Sequence, residues 1–365
     1  MNQKPPPPFS CTYTPQVPAL LHGLGCSIAL STYQAGKVVF LSAKDDQSLS
    51  QLPRNFEKAM GVAEDPKTDR LAIACLNQVL VFRNSQQLAA HYPKSPNVYD
   101  AMYMPRAAYF TGPLDIHDVH FDADGGLIAV NTLFSCLMKV DDAYNFTPVW
   151  QPHFVDRIAP EDRCHLNGLA MEEGRPRYVT AFSQGNERQS WRENITKTGI
   201  VMDVESNTVL AEGLAMPHSP TLINGELYVL TSATGELVRI DRTTGEKEVM
   251  ASFGGFVRGM SFHEDYLFIG LSKIREKSKT FGMLAGELIN NQAGIAVFHL
   301  PTRSKVGVIQ YQSSVEEIYD VHVIKGKRKP NIINPKDPVH ADGVTLPDTT
   351  FWRQPSKDGN DQATK

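Results

Sequence analysis

The sequence predicts an all-β fold, a six-bladed β-propeller closed by pairing of its N- and C-terminal segments. Three observations lead to this prediction. A short phrase recurs at intervals of roughly 40 to 60 residues, the spacing of propeller blades. Short β-rich runs are bounded by Gly, Asp and Asn, and long helical periodicity is absent. The phrase joins a polar or turning residue, then Gly, Asp or Pro, to an apolar strand start, and occupies residues 60–63, 117–120, 167–170, 219–222, 258–261 and 319–322.

The strand signals follow the phrases in a constant order. An inner strand comes first, then a turn such as residues 122–125, a second strand, another turn and a third strand. A fourth, outer strand is clearest where residues 241–246 turn into residues 247–250. This is the four-stranded meander of a propeller blade. The apolar runs that carry it are residues 27–32, 37–41, 71–74, 79–82, 127–130, 137–140, 227–230, 237–240, 266–269 and 294–298.

The two ends of the chain complete each other in this pattern. Residues 27–41 resemble the second and third strands of a blade with no inner strand before them, whereas the phrase at Tyr319 has little after it. We therefore expect one shared blade, which closes the ring and removes its open edge. Five or seven blades remain alternatives, because the interval from Arg258 to Tyr319 is long and residues 84–115 are irregular.

Composition sets the domain boundaries and the broad class. We expect a proline-rich lead-in over residues 1–19, a single propeller domain over 20–335 and a polar tail over 336–365. The N-terminus has no hydrophobic signal region, and five scattered cysteines give neither a CxxC pair nor a disulfide framework. A cytoplasmic protein is the expectation.

Charge and hydropathy narrow the range of partners. The formal net charge is −4 and no basic block occurs, which argues against nucleic acid as a partner. No apolar run approaches the ~20 residues of a membrane helix. A small-molecule substrate is the expected partner, with the oligomeric state left open. The chain has no phosphate-binding loop, nucleophile elbow or His-Glu-x-x-His motif.

Several segments carry a resemblance to a known family. They are residues 99–112, 114–118, 161–169, 216–220 and 270–276. Over about residues 20 to 335 the chain resembles a bacterial family of conserved hypothetical proteins with a domain of unknown function, which implies a propeller-like fold and no established chemistry. More distantly it is similar to six-bladed propeller enzymes, the gluconolactonase-like hydrolases and the peptidyl-hydroxyglycine amidating lyases. That second likeness is one of fold, and fold does not dictate function.

Three histidines lie at the start of inner strands in consecutive blades: His117, His165 and His218. Imidazole is the commonest protein ligand of zinc, and three ligands with an open position are typical of a catalytic metal. We therefore expect a divalent metal ion here, zinc first, with Fe, Mn, Cu or Ca as alternatives. The register is uneven, because His165 comes two residues early, on the same strand face by period-two alternation, and His218 is offset by one from Ser219. His120 and His322 lie inside inner strands and face away by parity, so we expect both to be structural. Histidines that only bond the backbone at the strand start are the alternative.

The similar enzymes suggest further site residues. Amidating lyases hold zinc with histidines from separate blades beside an Arg and a Tyr, whereas gluconolactonase-like propellers use carboxylates and Asn. In this chain the matching positions are Asn167, Asp118, Glu317 and Asp320.

Arg258 lies at a strand start and is expected to hold an anionic substrate in a bidentate fork. Glu317 is a candidate ligand or general base, with pairing to Arg258 as the alternative. Asp118 and Asp320 lie just inside the strand, where bonding of neighbouring backbone amides is favoured over catalysis. With Asn167 and Ser219 they are expected to contact the substrate or to support the residues that do.

The aromatic segment 99–114 precedes the His117 strand and is expected to line the same mouth of the ring as a lid or wall. It supplies Tyr103 or Tyr109 as an acid or base, and Arg106 as a substrate contact. A packed surface loop is the alternative.

Together these features predict a metal-dependent enzyme, a lyase in preference to a hydrolase, that acts on a small anionic substrate in the axial pocket. A non-catalytic ligand-binding or scaffold propeller is the first alternative. A tailoring enzyme of a biosynthetic pathway is the second.

Overall fold

The computed structural model of the protein describes residues 5–274, 288 and 291–353. Helices α1 (Gln16–Leu24) and α2 (Gln86–Ala90) and two 3-10 turns, Ser190–Arg192 and Pro338–Ala341, accompany the strands. The strands in chain order are β1 (Cys11–Tyr13), β2 (Ser27–Thr32), β3 (Lys37–Ala43), β4 (Leu49–Asn55), β5 (Val62–Asp65), β6 (Arg70–Ala74), β7 (Gln78–Asn84), β8 (Ala101–Phe110), β9 (Ile116–Phe121), β10 (Leu127–Asn131), β11 (Cys136–Val140), β12 (Thr147–Trp150), β13 (Leu166–Glu172), β14 (Arg175–Ala181), β15 (Gly199–Asp203), β16 (Thr208–Leu214), β17 (Pro217–Ile223), β18 (Glu226–Thr231), β19 (Glu236–Ile240), β20 (Lys247–Ser252), β21 (Phe256–His263), β22 (Tyr266–Ser272), β23 (Gly294–His299), β24 (Ser304–Tyr311), β25 (Asp320–Ile324), β26 (Pro330–Ile332), β27 (Gly343–Thr345) and β28 (Thr350–Trp352).

Six antiparallel meanders form the blades of a propeller, as predicted. Blades 1 to 5 are β5–β8, β9–β12, β13–β16, β17–β20 and β21–β24, each with its first strand innermost. Blade 6 combines the C-terminal β25 with β2, β3 and β4, in the order β25-β2-β3-β4. Ser31 lies opposite Asp320 and Ser27 opposite Ile324, so the two ends of the chain close the ring in one sheet.

Both chain ends also add a fifth strand to another blade. β1 pairs with β24 on the outside of blade 5, and β26 pairs in parallel with β8 on the outside of blade 1. Helix α1 buries Val17 and Leu21 in the core between blades 5 and 6. Residues 11–24 are therefore part of the packed fold, and the expected lead-in is shorter than the 19 residues suggested by its prolines.

The predicted polar tail is partly structured. β27 and β28 form a hairpin, and Trp352 donates its indole N–H to the carbonyl oxygen of Leu88 at 2.9 Å. The hairpin thus packs on α2 beside blade 1. Residues 354–365 of the tail and 1–4 of the lead-in lie outside the described residues.

The hydrophobic core lies between successive blades. One cluster joins Ala72 and Val79 of blade 1 to Val119 and Met138 of blade 2. Alternating inward side chains of two facing sheets interdigitate in this way around the ring. Within the described part of the chain, neither helix is long and apolar enough to cross a membrane.

Candidate functional site

The inner strands share one register around the axis. In blades 2 to 4 the first residue of the inner strand pairs with the last residue of the second strand: Ile116 with Asn131, Leu166 with Ala181 and Pro217 with Thr231. In blade 5 the corresponding pair is Val257 with Leu271, one residue inside the strand ends. The following residue is therefore equivalent in each blade.

This register defines four tiers along the axis. The mouth tier is Lys58, Asp115, His165, Met216, Phe256 and Glu317. The upper tier, two residues later, is Met60, His117, Asn167, His218, Arg258 and Tyr319. The middle tier is Gly61, Asp118, Gly168, Ser219, Gly259 and Asp320, and the lower tier is Ala63, His120, Ala170, Thr221, Ser261 and His322.

His218, rather than Ser219, is thus the equivalent of His117. The sequence assigns the shared position to Ser219, and this assignment is wrong. The repeated phrase of blade 4 begins at His218, one residue before the Ser219-Pro220 pair. His165, by contrast, does lie two residues before the shared position, one tier nearer the mouth.

Two cavities lie on the axis. The outer cavity, of about 320 Å³, is lined by mouth-tier residues such as Asp115 and His165. The inner cavity, of about 80 Å³, is lined by middle- and lower-tier residues and by His218. His117, Arg258 and Tyr319 border both cavities and separate them.

The mouth tier has an unusual backbone. Lys58, Asp115, His165 and Met216 adopt left-handed φ angles of 47°, 55°, 53° and 56°. Such angles are uncommon outside glycine, and they cluster at ligand and active sites. A left-handed residue interrupts the regular strand alternation at this tier, and His165 nevertheless borders the same cavity as His117.

Three upper-tier side chains bond the mouth-tier carbonyl of their own strand. His117 Nδ1 lies 2.9 Å from the carbonyl oxygen of Asp115. Asn167 donates Nδ2–H to the carbonyl oxygen of His165 at 3.2 Å. His218 Nδ1 lies 3.1 Å from the carbonyl oxygen of Met216. These bonds assign the Nδ1–H tautomer to both histidines and leave each Nε2 as a lone-pair acceptor.

The third histidine is held by a carboxylate. His165 Nδ1 lies 3.1 Å from both carboxylate oxygens of Asp162, and the same carboxylate accepts the indole N–H of Trp191 at 2.9 Å. The Trp191 ring lies 4.2 Å from the His165 ring. Asp162 therefore fixes the tautomer and orientation of His165, as a carboxylate does for a catalytic imidazole.

Burial sets the charge state of the upper tier. It lowers the pKa of His117 to about 4; Asp115 opposes the shift, and His165 and Arg258 add to it. Burial also lowers the pKa of His218 well below its usual value, with Arg258 contributing next. Both imidazoles are neutral at pH 7 and present unprotonated Nε2 atoms.

Arg258 is the cation of the upper tier. Its guanidinium carbon lies 3.7 Å above the centre of the Tyr319 ring, and Nη1 lies 3.7 Å from Oε1 of Glu317. Burial raises the pKa of the Tyr319 hydroxyl well above 10, so this group keeps its proton. Arg258 and Glu317 thus form an ion pair at the outer cavity, the pairing that was the alternative to a role of Glu317 as ligand or general base.

The middle tier ties neighbouring blades together. Asp118 accepts the backbone N–H of Leu169, Ser219 that of Gly259, and Asp320 that of Val62. Around the ring, these three side chains occupy every second middle-tier position, and a glycine occupies each position between them. Asp118, Ser219 and Asp320 are therefore bonded to backbone, as the sequence analysis favours for the two acids, although all three also line the inner cavity.

The lower tier contains two histidines, which strand alternation predicts to face away from the axis. His120 and His322 line the inner cavity, and the prediction that they face away is wrong. In blade 2 the ladder shifts register between Val130 and Asn131, opposite the upper tier, and this bulge changes which residues point inward. Burial and the nearby Asp118 raise the pKa of Asp320 to about 7.

The segment 99–114 does not border the axis. It forms the outer strand β8 of blade 1, far from the mouth in the sheet order. Tyr103 is buried and donates its hydroxyl to Glu64 at 3.1 Å. Tyr109 packs between blades 1 and 2, and the exposed Arg106 bonds Thr345 at 2.6 Å. The predicted lid is wrong, because the aromatic pattern reflects a long, partly buried strand.

The predicted metal ligands are close but do not surround one point. The His117 and His165 rings are 4.9 Å apart. The ring of Phe182 contacts both His165, at 4.6 Å, and His218, at 5.1 Å. Neither axial cavity is bordered by all three histidines. Among the described residues, no three His, Cys, Asp or Glu side chains are grouped so that they could hold a metal ion.

Several other residues that border the outer cavity were not predicted as site residues. Tyr319 was part of a repeated phrase, and its equivalence to His117 was a usable signal. Asp115, Tyr33 and Trp191 lie outside the phrases, and the contact of Trp191 with Asp162 spans 29 residues of chain.

Comparisons with known proteins give a family and a fold. The family described as a domain of unknown function (DUF4915) matches residues 15–333. A solved chain from the "Crystal structure of Nidogen/Laminin Complex" is 9% identical with a TM-score of 0.53, covering 82% of this chain and 99% of that chain. A protein of unknown function from Bacteroides caccae is 10% identical with a TM-score of 0.51, covering 82% and 98%. The search of curated proteins gives no match.

Proposed function

We propose that this chain, which belongs to the DUF4915 family of unknown function, is an enzyme that acts on a small anionic substrate in the outer cavity by lyase or hydrolase chemistry. One observation carries the proposal. A carboxylate-held imidazole, His165, borders the same cavity as a half-enclosed arginine, Arg258. Proton transfer and anion binding are the two tasks that such chemistry needs.

The charge states suggest a role for each side chain. Arg258 holds the anionic group of the substrate. His165, with Nδ1 committed to Asp162, uses Nε2 to take a proton from the substrate or from water. The neutral His117 accepts a hydrogen bond through Nε2 at the floor of the cavity. Lyase chemistry removes a proton next to the anionic group, and hydrolysis activates a water molecule at the same place.

A metal-dependent form of the proposal uses His117, His165 and His218 as ligands through their Nε2 atoms, with zinc as the first choice. A bound divalent ion would polarise the substrate or activate water. The donor type fits, because all three Nδ1 atoms are engaged elsewhere. The described geometry does not fit, since the rings do not converge on one point. The acid–base form requires no rearrangement and is therefore the core of the proposal.

The test uses His165→Asn, because asparagine tolerates the left-handed backbone of this position. Purified protein is assayed by proton release with a panel of lactones, esters and hydroxycarboxylates. We expect turnover of at least one compound and a loss of about 10²- to 10⁴-fold in His165→Asn. The matched control is His91→Asn at an exposed histidine. Equal turnover in His165→Asn and wild type would refute the role of His165.

Metal analysis of the same samples decides between the two forms. Stoichiometric Zn, Fe, Mn, Cu or Ca that is lost in the double variant His117→Asn/His165→Asn supports the metal-dependent form. Anion binding without turnover across the panel, in protein unaffected by chelator, would instead favour the non-catalytic ligand-binding propeller.

A further inference from the structure

The outer cavity carries more negative than positive side chains. Among the described residues that border it, the charged ones are Asp115, Asp162, Glu317, Arg192 and Arg258. Three carboxylates face two guanidiniums, and like charges in a half-enclosed site repel strongly. A dianion such as a phosphate ester would meet this repulsion twice over, whereas a monoanion needs only one cation.

Arg258 presents a flat fork rather than a point charge. Tyr319 covers one face of its guanidinium at 3.7 Å, and the side chain is only 13% exposed. The planar N–H edge is therefore the part that meets a ligand. Glu317 Oε1 lies 3.7 Å from Nη1, an ion pair longer than a hydrogen bond, so a ligand carboxylate can approach the N–H edge more closely than Glu317 does. A planar carboxylate matches this fork with two parallel hydrogen bonds.

Part of the remaining cavity wall is apolar or aromatic, beside the polar His117, His165 and Gln189. Tyr33, Met60, Leu133 and Trp191 line it together with Tyr319. The Tyr33 and Tyr319 rings lie 6.3 Å apart with 31° between their planes, which makes a continuous aromatic surface beside Arg258. A volume of about 320 Å³ is at the lower end for a ligand pocket, so the occupant is compact.

We propose that the outer cavity selects a monoanionic carboxylate that carries a compact apolar or aromatic body, over phosphate, sulfate or a bare short-chain acid. This inference rests on the proposed function and names the substrate class of the same site. The carboxylate lies on the Arg258 fork, and the body packs on Tyr33, Met60 and Leu133.

The experiment is calorimetric titration of the full-length protein at low salt with four probes. They are benzoate, acetate, benzamide and phenyl phosphate. We expect benzoate to bind on the order of 10- to 100-fold more tightly than acetate, because the ring buries apolar surface. Benzamide and phenyl phosphate should each bind at least about 10-fold more weakly than benzoate, for lack of charge and for excess charge.

Variants tie the binding to the fork. Arg258→Gln should weaken benzoate binding by about 10-fold or more, and Arg258→Lys should give an intermediate loss because charge remains without the planar fork. Arg106→Gln, at an exposed arginine of β8, is the matched control and should leave binding unchanged. Thermal unfolding of each variant checks that the fold is retained.

The possible failures are distinguishable. Acetate binding as tightly as benzoate, or phenyl phosphate binding more tightly, overturns the substrate class and leaves an anion site intact. Binding of benzoate that is unchanged in both Arg258 variants overturns the placement on the fork. Absence of binding by every anionic probe overturns the proposed function as well.

Discussion

The substitution His117→Asn should separate the hydrogen bond that His117 makes to the backbone from the effect of its protonation on stability. Asn167 holds the equivalent place in the next blade, where its Nδ2 bonds the mouth-tier carbonyl as His117 Nδ1 does. His117→Asn therefore keeps the backbone bond and removes the imidazole. We expect the variant to fold, with unfolding at pH 7.5 close to that of wild type.

The two proteins should diverge on acidification. The pKa of His117 is about 4 in the folded chain, below its ordinary 6.5, because burial disfavours the cation. A group with a depressed folded pKa contributes stability that is present above about pH 6.5 and is lost as the pH falls towards 4. Each pH unit in that window corresponds to about 1.4 kcal/mol, so the full loss is about 3 kcal/mol in wild type and absent in His117→Asn.

The assay is urea unfolding of both proteins at pH 7.5, 5.5 and 4.5, monitored by tryptophan fluorescence. Other titrating groups shift both curves alike, so the difference between the two proteins isolates residue 117. Parallel pH dependences would show that His117 titrates in the folded chain near its ordinary value, and the assignment of a neutral His117 imidazole would be lost.

Three further predictions test the tiers. Gly259→Ala should destabilise the fold by several kcal/mol, because its Cβ would lie 2.6 Å from the Val321 nitrogen. The control Gly326→Ala, with a similar positive φ but open space around it, should cost only about 1 kcal/mol. Equal losses of unfolding free energy in urea would contradict the close approach of the blades. Because the pKa of Asp320 is raised to about 7 in the folded chain, the wild-type protein should lose stability as the pH rises from about 4 to about 7, and Asp320→Asn should abolish that loss. A pH dependence of stability that the substitution leaves unchanged would count against the raised pKa. Asp162→Asn should release His165 from its fixed tautomer, seen in ¹⁵N imidazole spectra, and an unaltered spectrum would argue against that bond.

Much of the architecture was accessible from the sequence because it depends on repeated local patterns. The inner-strand phrases and the incomplete blade over residues 27–41 were sufficient to predict six blades and their closure. The chain ends were not, because pairing of β1 with β24 and of β26 with β8 joins segments that carry no repeat. β1 and β26 have only three residues each, which is too short a pattern to distinguish a fifth strand from an irregular terminus.

The site was predicted in part for the same reason. His117 and Arg258 were found because they occupy one position of the repeat, and His218 because it lies next to Ser219, to which that position was assigned. Strand alternation gave the wrong orientation for His120 and His322, which line the inner cavity. Period-two reasoning holds only where the ladder is regular, and here a left-handed residue and a register shift lie next to the upper tier.

Tyr103 and Tyr109 show the opposite error. Sequence proximity to the His117 strand suggested spatial proximity to the axis, but a blade runs outward from its inner strand. The last strand of one blade precedes the first strand of the next in sequence and lies at the rim of the ring. Residues just before an inner strand can line the mouth, as Asp115 does, whereas those a strand earlier cannot.

The middle and upper tiers make different hydrogen bonds, and this difference limits which positions can take a functional side chain in this fold. Middle-tier side chains are engaged in tying blade to blade, so replacing Asp118 or Ser219 removes an acceptor for a neighbouring backbone N–H. At three upper-tier positions the side chain gives one donor to the carbonyl two residues earlier, and histidine supplies that donor while leaving a second nitrogen for a ligand. Histidine at this position therefore serves the fold and the site through different atoms, which explains why the same side chains fit both a structural and a functional interpretation.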